Sequence, residues 1–242
     1  FEKTSSLLNS NIIVAKQNSK ETIDCIKKTI SQNKSNKIYF NDNFSYSISE
    51  NNFFYYEDKL GGLKLLKPNV RGQYQLENIS TAIATLRTLN LNIKDEHIKN
   101  GLQKINNVAR LQEVNSGKLK DLVKNNLFII SGDHNEDGAR ALNEYLNSLD
   151  CKKHIIIGMM ANKEHERYIS YFKNISSLTT IDIPNQPNAI SGKELKQKFM
   201  SIANVKYQES IEQAIKSISL EKGDLLLITG SLYLCSEVLN LN

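Results

Sequence analysis

The sequence predicts an α/β fold whose C-terminal part is a mostly parallel sheet with helices on both faces. Compact apolar runs, long enough for buried strands, occur at residues 127–130, 154–158, 178–183 and 224–228. Stretches with helical periodicity separate these runs, and strands separated by helices usually form a parallel sheet that is covered on both faces. The 242 residues are enough for one large domain or two small ones.

The sequence predicts a smaller α/β region over residues 1–107 and the domain that holds the parallel sheet over residues 108–242. A strand over residues 109–114 is expected to open this second domain. Cys25 is expected on the core face of the first helix. The elements predicted before residue 108 are strands at 11–16 and 37–41, a helix at 21–31, a β-rich region up to residue 70, and helices at 71–89 and 94–105.

Composition restricts the class of protein. Hydrophobic residues make up 40% of the chain and charged residues 24%, as in globular proteins, and no apolar run is long enough to cross a bilayer. The net charge of +5 is spread along the chain, which argues against nucleic acid as the main partner. Three isolated cysteines without metal spacing indicate a reducing compartment, so we expect a cytoplasmic protein without a membrane partner.

Two polar turns stand out, each between a predicted strand and a predicted helix. The first contains Ser131, Asp133 and His134, and the second runs from Thr229 to Ser231. Such turns bind phosphates and carry catalytic groups in α/β proteins, because the N–H groups of the helix start point at the ligand. An ordinary solvated loop is the alternative interpretation of the first turn.

The two turns resemble those of the folylpolyglutamate synthase and dihydrofolate synthase family, a branch of the Mur-type ATP-dependent amide ligases. That family has D-G-A/G-H-N-P-D-G-A-R-A-L in the first turn, where residues 131–142 read S-G-D-H-N-E-D-G-A-R-A-L. The second turn of the family reads T-G-S-L-Y-L-x-x-E-V, which residues 229–238 retain. The order and the domain-sized spacing of both matches make coincidence improbable.

The resemblance implies a ligase that uses ATP and Mg²⁺ to join L-glutamate to dihydropteroate or to folate polyglutamate through an acyl phosphate. The phosphate-binding signature G-x-x-x-x-G-K-[ST] does not occur in this sequence. We therefore expect a fragment of such a ligase, inactive by itself, with a separate N-terminal P-loop fragment as a possible partner. Residues 1–107 would then be the remainder of the central ATP-binding domain.

The resemblance also assigns three residues to the nucleotide and the metal. Asn78 corresponds to an asparagine near adenine, and Gln75 should lie beside it on one helix face; an exposed polar pair is the alternative. Arg110 corresponds to an arginine that reaches ATP phosphate, a role suited to its permanent charge. Lys3 corresponds to a carbamylated lysine that binds magnesium, although a lysine this close to a chain terminus is usually a solvated side chain.

Within the two turns, His134 is the expected catalytic residue, while Ser131 and Asp133 are expected to contact the nucleotide. The positive end of the following helix should favour a neutral His134 ring. The alternative is a loop histidine bonded to Asp133 or Asp137. Ser231 would offer its hydroxyl, together with backbone N–H groups, to the glutamate carboxylate.

Departures from the family fall at important positions and leave a second interpretation open. Ser131 replaces an aspartate, Glu136 a proline, Asn162 an aspartate and Tyr74 a histidine. Asp133 can compensate for the lost aspartate only if the turn has a different shape. The competing hypothesis is a non-catalytic α/β module that binds nucleotide or glutamate, or serves as a subunit partner.

Overall fold

The structure is a computed structural model, and it describes residues 10–32, 34–89, 91–200 and 204–242. The chain divides into two compact units, Phe1–Asn106 and Asn107–Asn242. Lys3 lies outside the described residues, so its assignment stays a prediction. Each unit has its own hydrophobic core and is described separately below.

The first unit combines a two-stranded parallel sheet with a three-stranded antiparallel sheet. In the parallel sheet β1 pairs with β2, and in the antiparallel sheet the order is β3-β4-β5. The elements are β1 (Ile12–Val14), α1 (Lys20–Ile30), β2 (Lys37–Tyr39), β3 (Phe44–Ile48), β4 (Phe53–Asp58), β5 (Gly61–Leu66), α2 (Gln73–Thr88) and α3 (Asp95–Gln103).

Alternation along β4 and β5 builds the core of this unit. Phe54, Tyr56, Leu63 and Leu65 are buried and pack with the apolar face of α2, where Ile83 is 1% exposed. Successive strand residues point to opposite faces, so one sheet face meets the helix and the other, with Tyr55 and Leu66, is exposed. The expectation for Cys25 is wrong, because its side chain is exposed on α1 and the core face is formed by isoleucines.

The second unit is a six-stranded sheet with the order β10-β9-β8-β11-β7-β6. Every pairing is parallel except that of the short β6 with β7, which confirms the predicted fold class. The elements are β6 (Gln112–Glu113), α4 (Lys118–Val123), β7 (Leu127–Ser131), α5 (Glu136–Asn147), β8 (Lys153–Ile157), α6 (His165–Ser170), β9 (Ser177–Ile181), α7 (Gly192–Phe199), β10 (Val205–Gln208), α8 (Ile211–Lys216), β11 (Leu225–Thr229) and α9 (Leu232–Leu241).

Helices cover both faces of this sheet. Alternate strand residues such as Ile130, Ile156 and Ile228 form one core with α4, α8 and α9. On the opposite face, Tyr168 of α6 hydrogen-bonds Thr229, and α7 accepts a hydrogen bond from Thr180. The central strands are therefore buried on both sides, which explains why their sequences are continuous apolar runs rather than alternating ones.

The strand predicted at residues 109–114 is wrong for most of its length. Ala109 and Leu111 adopt left-handed backbone conformations with φ of 54° and 52°, so that only Gln112–Glu113 pairs with β7. Such conformations are uncommon for residues with a side chain and require support from neighbouring groups. The helix α4 and the edge strand β10 were not predicted, since both are short.

The helices that the structure describes include none that could span a membrane. The helix α2 has 16 residues and α5 has 12. Both are shorter than the roughly 20 apolar residues that a bilayer requires.

Candidate functional site

The two polar turns lie side by side at the end of the sheet where the parallel strands finish, here called the carboxyl edge. The strands β7 and β11 are direct neighbours, and their last residues, Ser131 and Thr229, are paired in register. Both turns therefore lie at the same end of the sheet. Ligands of open α/β sheets bind at this edge, because the loops there are free to diverge around a crevice.

Ser131 connects the first turn to the loop that carries Arg110. Its hydroxyl donates a hydrogen bond of 2.5 Å to Oδ2 of Asp133 and accepts one of 3.1 Å from the backbone N–H of Leu111. Ser131 is fully buried, and Asp133 is 8% exposed. A single hydroxyl therefore fixes the carboxylate of the turn and the backbone beside Arg110 at the same time.

Arg110 is held on a rigid loop although its side chain reaches solvent. The amide of Ala109 donates to the Gln112 side chain at 2.8 Å, and the carbonyl of Ala109 accepts from Gly132 at 2.8 Å. The Arg110 side chain is 40% exposed, and its Nη1 lies 3.6 Å from Oδ1 of Asp133. The backbone is fixed on both sides of Arg110, and the guanidinium keeps donors available to an external oxyanion.

Burial determines the protonation of groups around Asp133. Burial raises the pKa of the Asp133 carboxyl, and the Ser131 hydrogen bond and the Arg110 charge oppose that increase. Burial also raises the pKa of the nearby Cys235 thiol to about 12, so the thiol is not a nucleophile at neutral pH.

His134 follows this network and is half-buried at the entrance to α5. Its Nδ1 lies 2.8 Å from the Gly132 carbonyl, and because a carbonyl can only accept, Nδ1 carries the hydrogen. A neutral ring with this tautomer leaves Nε2 as an acceptor. The alternative partners weighed above, Asp133 and Asp137, are not the ones that orient the ring. Asn135 caps the helix by accepting from the Gly138 amide at 2.9 Å.

Ser231 in the second turn is a helix cap rather than an open hydroxyl. It is 2% exposed, and its Oγ accepts a hydrogen bond of 3.1 Å from the Tyr233 amide at the start of α9. Gly230 precedes it with φ of +102°, a conformation that disfavours any other residue. Glutamate binding by Ser231 stays a prediction, and it would require the ligand to compete with this cap.

Thr229 and Tyr168 also belong to the site, although the sequence did not predict a role for either side chain. The hydroxyl of Thr229 donates to the Ser131 carbonyl at 2.7 Å, and it therefore accepts the hydrogen bond of 2.9 Å from the buried Tyr168. Thr229 belongs to the second motif, so its sequence signal was available. Tyr168 lies in a short helix and has no local signal that could reveal this contact.

Asn78 and Gln75 lie on α2 of the first unit, one helical turn apart, but in different environments. Asn78 is exposed, whereas Gln75 is 7% exposed within the unit. An exposed amide can offer a donor and an acceptor to a base, and a buried one is restricted by its neighbours. Only Asn78 is thus placed as the sequence analysis requires for adenine, and its role stays a prediction.

The opposite end of the sheet contains a polar cluster around His154. This residue lies near the start of β8 and is 7% exposed. Its Nε2 lies 3.2 Å from Oδ2 of Asp224, and its Nδ1 lies 2.8 Å from the Ser177 hydroxyl. Because it joins the beginnings of three strands, we interpret this cluster as structural.

A separate cavity of about 650 Å³ lies in the first unit. Its lining includes Arg87 and Asp58, which form a nearly buried ion pair at 2.9 Å. None of the predicted site residues among the described part of the chain lines this cavity.

The part of the chain that the structure describes does not contain a preformed magnesium site. No group of three or more histidine, cysteine or acidic side chains there is arranged to hold a metal ion. The residues suited to a nucleotide are the exposed guanidinium of Arg110 and the exposed amide of Asn78. Each unit thus holds one group suited to a nucleotide, and the described residues do not by themselves fit the metal.

The fold and this arrangement define a class of protein. Residues 118–232 match the family model described as Mur ligase, glutamate ligase domain. Residues 118–232 of the second unit thus carry the match to the Mur ligase glutamate ligase domain, and the resemblance predicted from the two turns is confirmed. The folylpolyglutamate synthase of Lacticaseibacillus casei is 26% identical over 194 residues, which are 76% of this chain and 42% of that protein.

Solved structures share the fold. Mycobacterium tuberculosis folylpolyglutamate synthase complexed with ADP aligns with a TM-score of 0.83 at 14% identity, covering 99% of this chain and 57% of that one. The bifunctional folylpolyglutamate synthase/dihydrofolate synthase of Yersinia pestis, complexed with AMPPNP and Mn ion, aligns with 0.79 at 20% identity, covering 99% and 55%. The chain thus spans about half the length of these relatives.

Proposed function

We propose that this chain is the glutamate ligase part of a folate-pathway, ATP-dependent amide ligase that adds L-glutamate to dihydropteroate or to folate polyglutamate. The observation that carries the proposal is the carboxyl edge of the sheet. There Arg110 on its rigid loop and His134 at the start of α5 are fixed to one buried network within a Mur ligase glutamate ligase domain. A cytoplasmic location is part of the proposal, supported by cysteines that are free.

Arg110 would bind phosphate oxygens of the nucleotide. ATP would supply the phosphoryl group that activates the carboxylate substrate, and such transfers depend mainly on positioning and on cancelling negative charge. A guanidinium can bind two oxyanions at once, and the fixed backbone beside Arg110 reduces the entropy lost when it does so. Asn78 on the first unit would contact adenine through its exposed amide.

His134 would accept or hold a proton through Nε2. The Gly132 carbonyl fixes the tautomer, so Nε2 faces away from the bonded side of the ring. An acceptor there suits general-base assistance to an attacking amine, the role that imidazoles most often perform. Ser131 and Asp133 would support the nucleotide through Arg110, and Ser231 would bind the glutamate carboxylate if its helix cap is released.

A separate N-terminal P-loop fragment is the proposed partner. The parallel pair of β1 and β2 has only two strands among the described residues, and two-stranded parallel sheets are rarely stable alone. Another chain segment beside this pair would extend the sheet. The same partner would provide ligands for Mg²⁺ together with Lys3, and we derive no step through the metal.

The test is a reconstitution with the P-loop-bearing N-terminal segment of a relative. We expect incorporation of labelled glutamate that requires ATP and a folate or pteroate acceptor, and no incorporation by the chain alone. Arg110→Gln should reduce the rate by about tenfold or more. Arg167→Gln, which removes a guanidinium that is 65% exposed on α6, is the matched control and should change it less than about twofold.

Two outcomes would contradict the proposal. One is a folded, associated complex that binds nucleotide but never incorporates glutamate, which would favour the non-catalytic binding module. The other is glutamate incorporation at an unchanged rate in Arg110→Gln, which would show that the carboxyl edge of the sheet takes no part in the reaction.

A further inference from the structure

The charged partner of Arg110 in the described structure is internal. Nη1 of Arg110 lies 3.6 Å from Oδ1 of Asp133, and the other carboxylate oxygen of Asp133 accepts from Ser131 at 2.5 Å. The two side chains differ sharply in exposure, at 40% for Arg110 and 9% for Asp133. The carboxylate is thus a fixed, buried anion, and the guanidinium is the part of the pair that can move.

The geometry of the pair is one that an external anion could displace. A charge-assisted N–H···O bond is usually about 2.7–2.9 Å long, so 3.6 Å indicates attraction without a bidentate fork. Carboxylate and phosphate oxygens compete for the same guanidinium donors, because both match its planar geometry. The carboxylate also lies next to Gly138 in the first turn of α5, where a Cβ would come within 3.0 Å of Oδ1.

We propose that Asp133 is a built-in competitor for the phosphate-bearing ligand of Arg110, and that it sets the affinity of this chain for that ligand low. The inference rests on the proposed function, because Arg110 is taken there as the phosphate contact. Asp133 is a positioning residue in this account: it acts on the ligand only through Arg110. In the family that the chain resembles, alanine or glycine occupies this position.

The position of Asp133 follows from residues that bind both partners. Ser131 holds Asp133 through its hydroxyl hydrogen and holds the Arg110 loop through the Leu111 amide. The left-handed conformations of Ala109 and Leu111 fix the backbone on both sides of Arg110. Neither charged group can withdraw by a backbone movement without breaking buried hydrogen bonds, so a ligand of Arg110 always binds beside the carboxylate.

The experiment titrates inorganic tripolyphosphate into the 242-residue chain by calorimetry, at low salt, with variants that change one charge. Asp133→Asn removes the charge and keeps an oxygen for the Ser131 hydroxyl. Asp137→Asn is the matched control, since its side chain is 90% exposed and pairs with Arg140. The double variant Asp133→Asn, Arg110→Gln tests whether any gain in anion affinity depends on the Arg110 guanidinium. Thermal unfolding checks that each variant is folded.

We expect Asp133→Asn to raise the association constant by about tenfold or more, Asp137→Asn by less than about twofold, and the double variant to lose the gain. Equal gains in Asp133→Asn and Asp137→Asn, no gain at all, or a gain that survives Arg110→Gln would overturn the proposal. If Asp133→Asn does not fold, Asp133→Ala, the side chain of the resembled family, takes its place with the same expectations.

This result is separable from that of the ligation assay. If Asp133→Asn raises anion affinity through Arg110 but the reconstituted complex incorporates no glutamate, the role of Asp133 as a competitor is supported and the proposed function is contradicted. If the complex incorporates glutamate but Asp133→Asn does not raise anion affinity, the proposed function is supported and the competitor role is contradicted.

Discussion

Thr229 and Ser131 end neighbouring parallel strands, and the hydroxyl of Thr229 donates a hydrogen bond of 2.7 Å to the carbonyl of Ser131. The buried Tyr168 donates to the same threonine oxygen at 2.9 Å. The two motif-bearing turns are therefore joined by side chains as well as by sheet pairing. This connection makes the carboxyl edge of the sheet one preformed unit rather than two independent loops.

Thr229→Val should destabilise the domain by about 1–3 kcal/mol, because it leaves the Tyr168 hydroxyl and the Ser131 carbonyl without their partner in a buried place. The matched control is Thr179→Val. Thr179 is 1% exposed, and its hydroxyl has no hydrogen-bond partner within the described part of the chain. That variant should be neutral or stabilising in urea unfolding. Equal destabilisation of both variants would contradict the proposed network.

Gly230→Ala should destabilise the second turn more than the same change at Gly223. Both glycines have positive φ, +102° and +93°, which costs a residue with a side chain about 1–3 kcal/mol. A Cβ on Gly230 would in addition lie 2.6 Å from the Gly158 carbonyl oxygen, whereas one on Gly223 meets nothing within 4 Å. Overpacking should add about 1–3 kcal/mol at Gly230. Comparison of the two midpoints of thermal unfolding checks this, and equal shifts would disprove it.

Asp133→Asn should change the pH dependence of stability in one direction. Burial raises the folded-state pKa of Asp133 above 3.8, so the folded chain binds more protons than the unfolded chain between those two values. The free energy of unfolding that Asp133 contributes is therefore largest below 3.8 and is lost as pH rises through the raised pKa.

The stability of Asp133→Asn relative to the native chain should accordingly increase as pH rises from about 4 towards neutrality. Unfolding in urea at a series of pH values measures the difference. Asp137→Asn, exposed on α5, provides the baseline for removing a carboxylate. A difference that is flat, or that shrinks with rising pH, would show that ion pairing with Arg110 outweighs burial.

His134→Ala should lower kcat/KM for glutamate incorporation in the reconstituted complex by about 10²-fold or more, because the ring supplies a fixed acceptor at Nε2. His97→Ala on α3 removes an exposed imidazole and should have little effect. A loss of less than about threefold, under about 1 kcal/mol of transition-state stabilisation, would mean that His134 has only a structural role in its turn. Ser131→Asp combined with Asp133→Ala rebuilds the turn of the family and tests whether the natural turn limits the rate.

The sheet was predictable because its signals are local. The apolar runs of β7 and β11 are continuous, and the topology of alternating strands and helices brings their ends to one edge. The loop around Arg110 was not predictable, because its left-handed residues are stabilised by the Ser131 hydroxyl from outside the segment and by the Gln112 side chain within it. An apolar pattern over residues 109–114 cannot reveal such support.

The site was predictable in its position and only partly in its contacts. The motif predicted His134 between a strand and a helix, where it lies, but its partner is a backbone carbonyl, which leaves no trace in the side-chain sequence. The pairing of Ser131 with Asp133 depends on the turn geometry, and the contribution of Tyr168 depends on the packing of a distant helix. The first two contacts depend on the backbone conformation of the turn and the third on tertiary packing, and residue types in order do not reveal either.

The most direct test of the central claim is a nucleotide footprint, measured by amide and side-chain NMR shifts as Mg–ADP is added to the chain at millimolar concentrations. We expect the shift changes to concentrate at Arg110, His134 and Asn78, with His154 at the opposite end of the sheet unaffected. Absence of binding, or a footprint confined to His154 or to the cavity beside Arg87, would contradict the assignment of the carboxyl edge as the nucleotide-facing site.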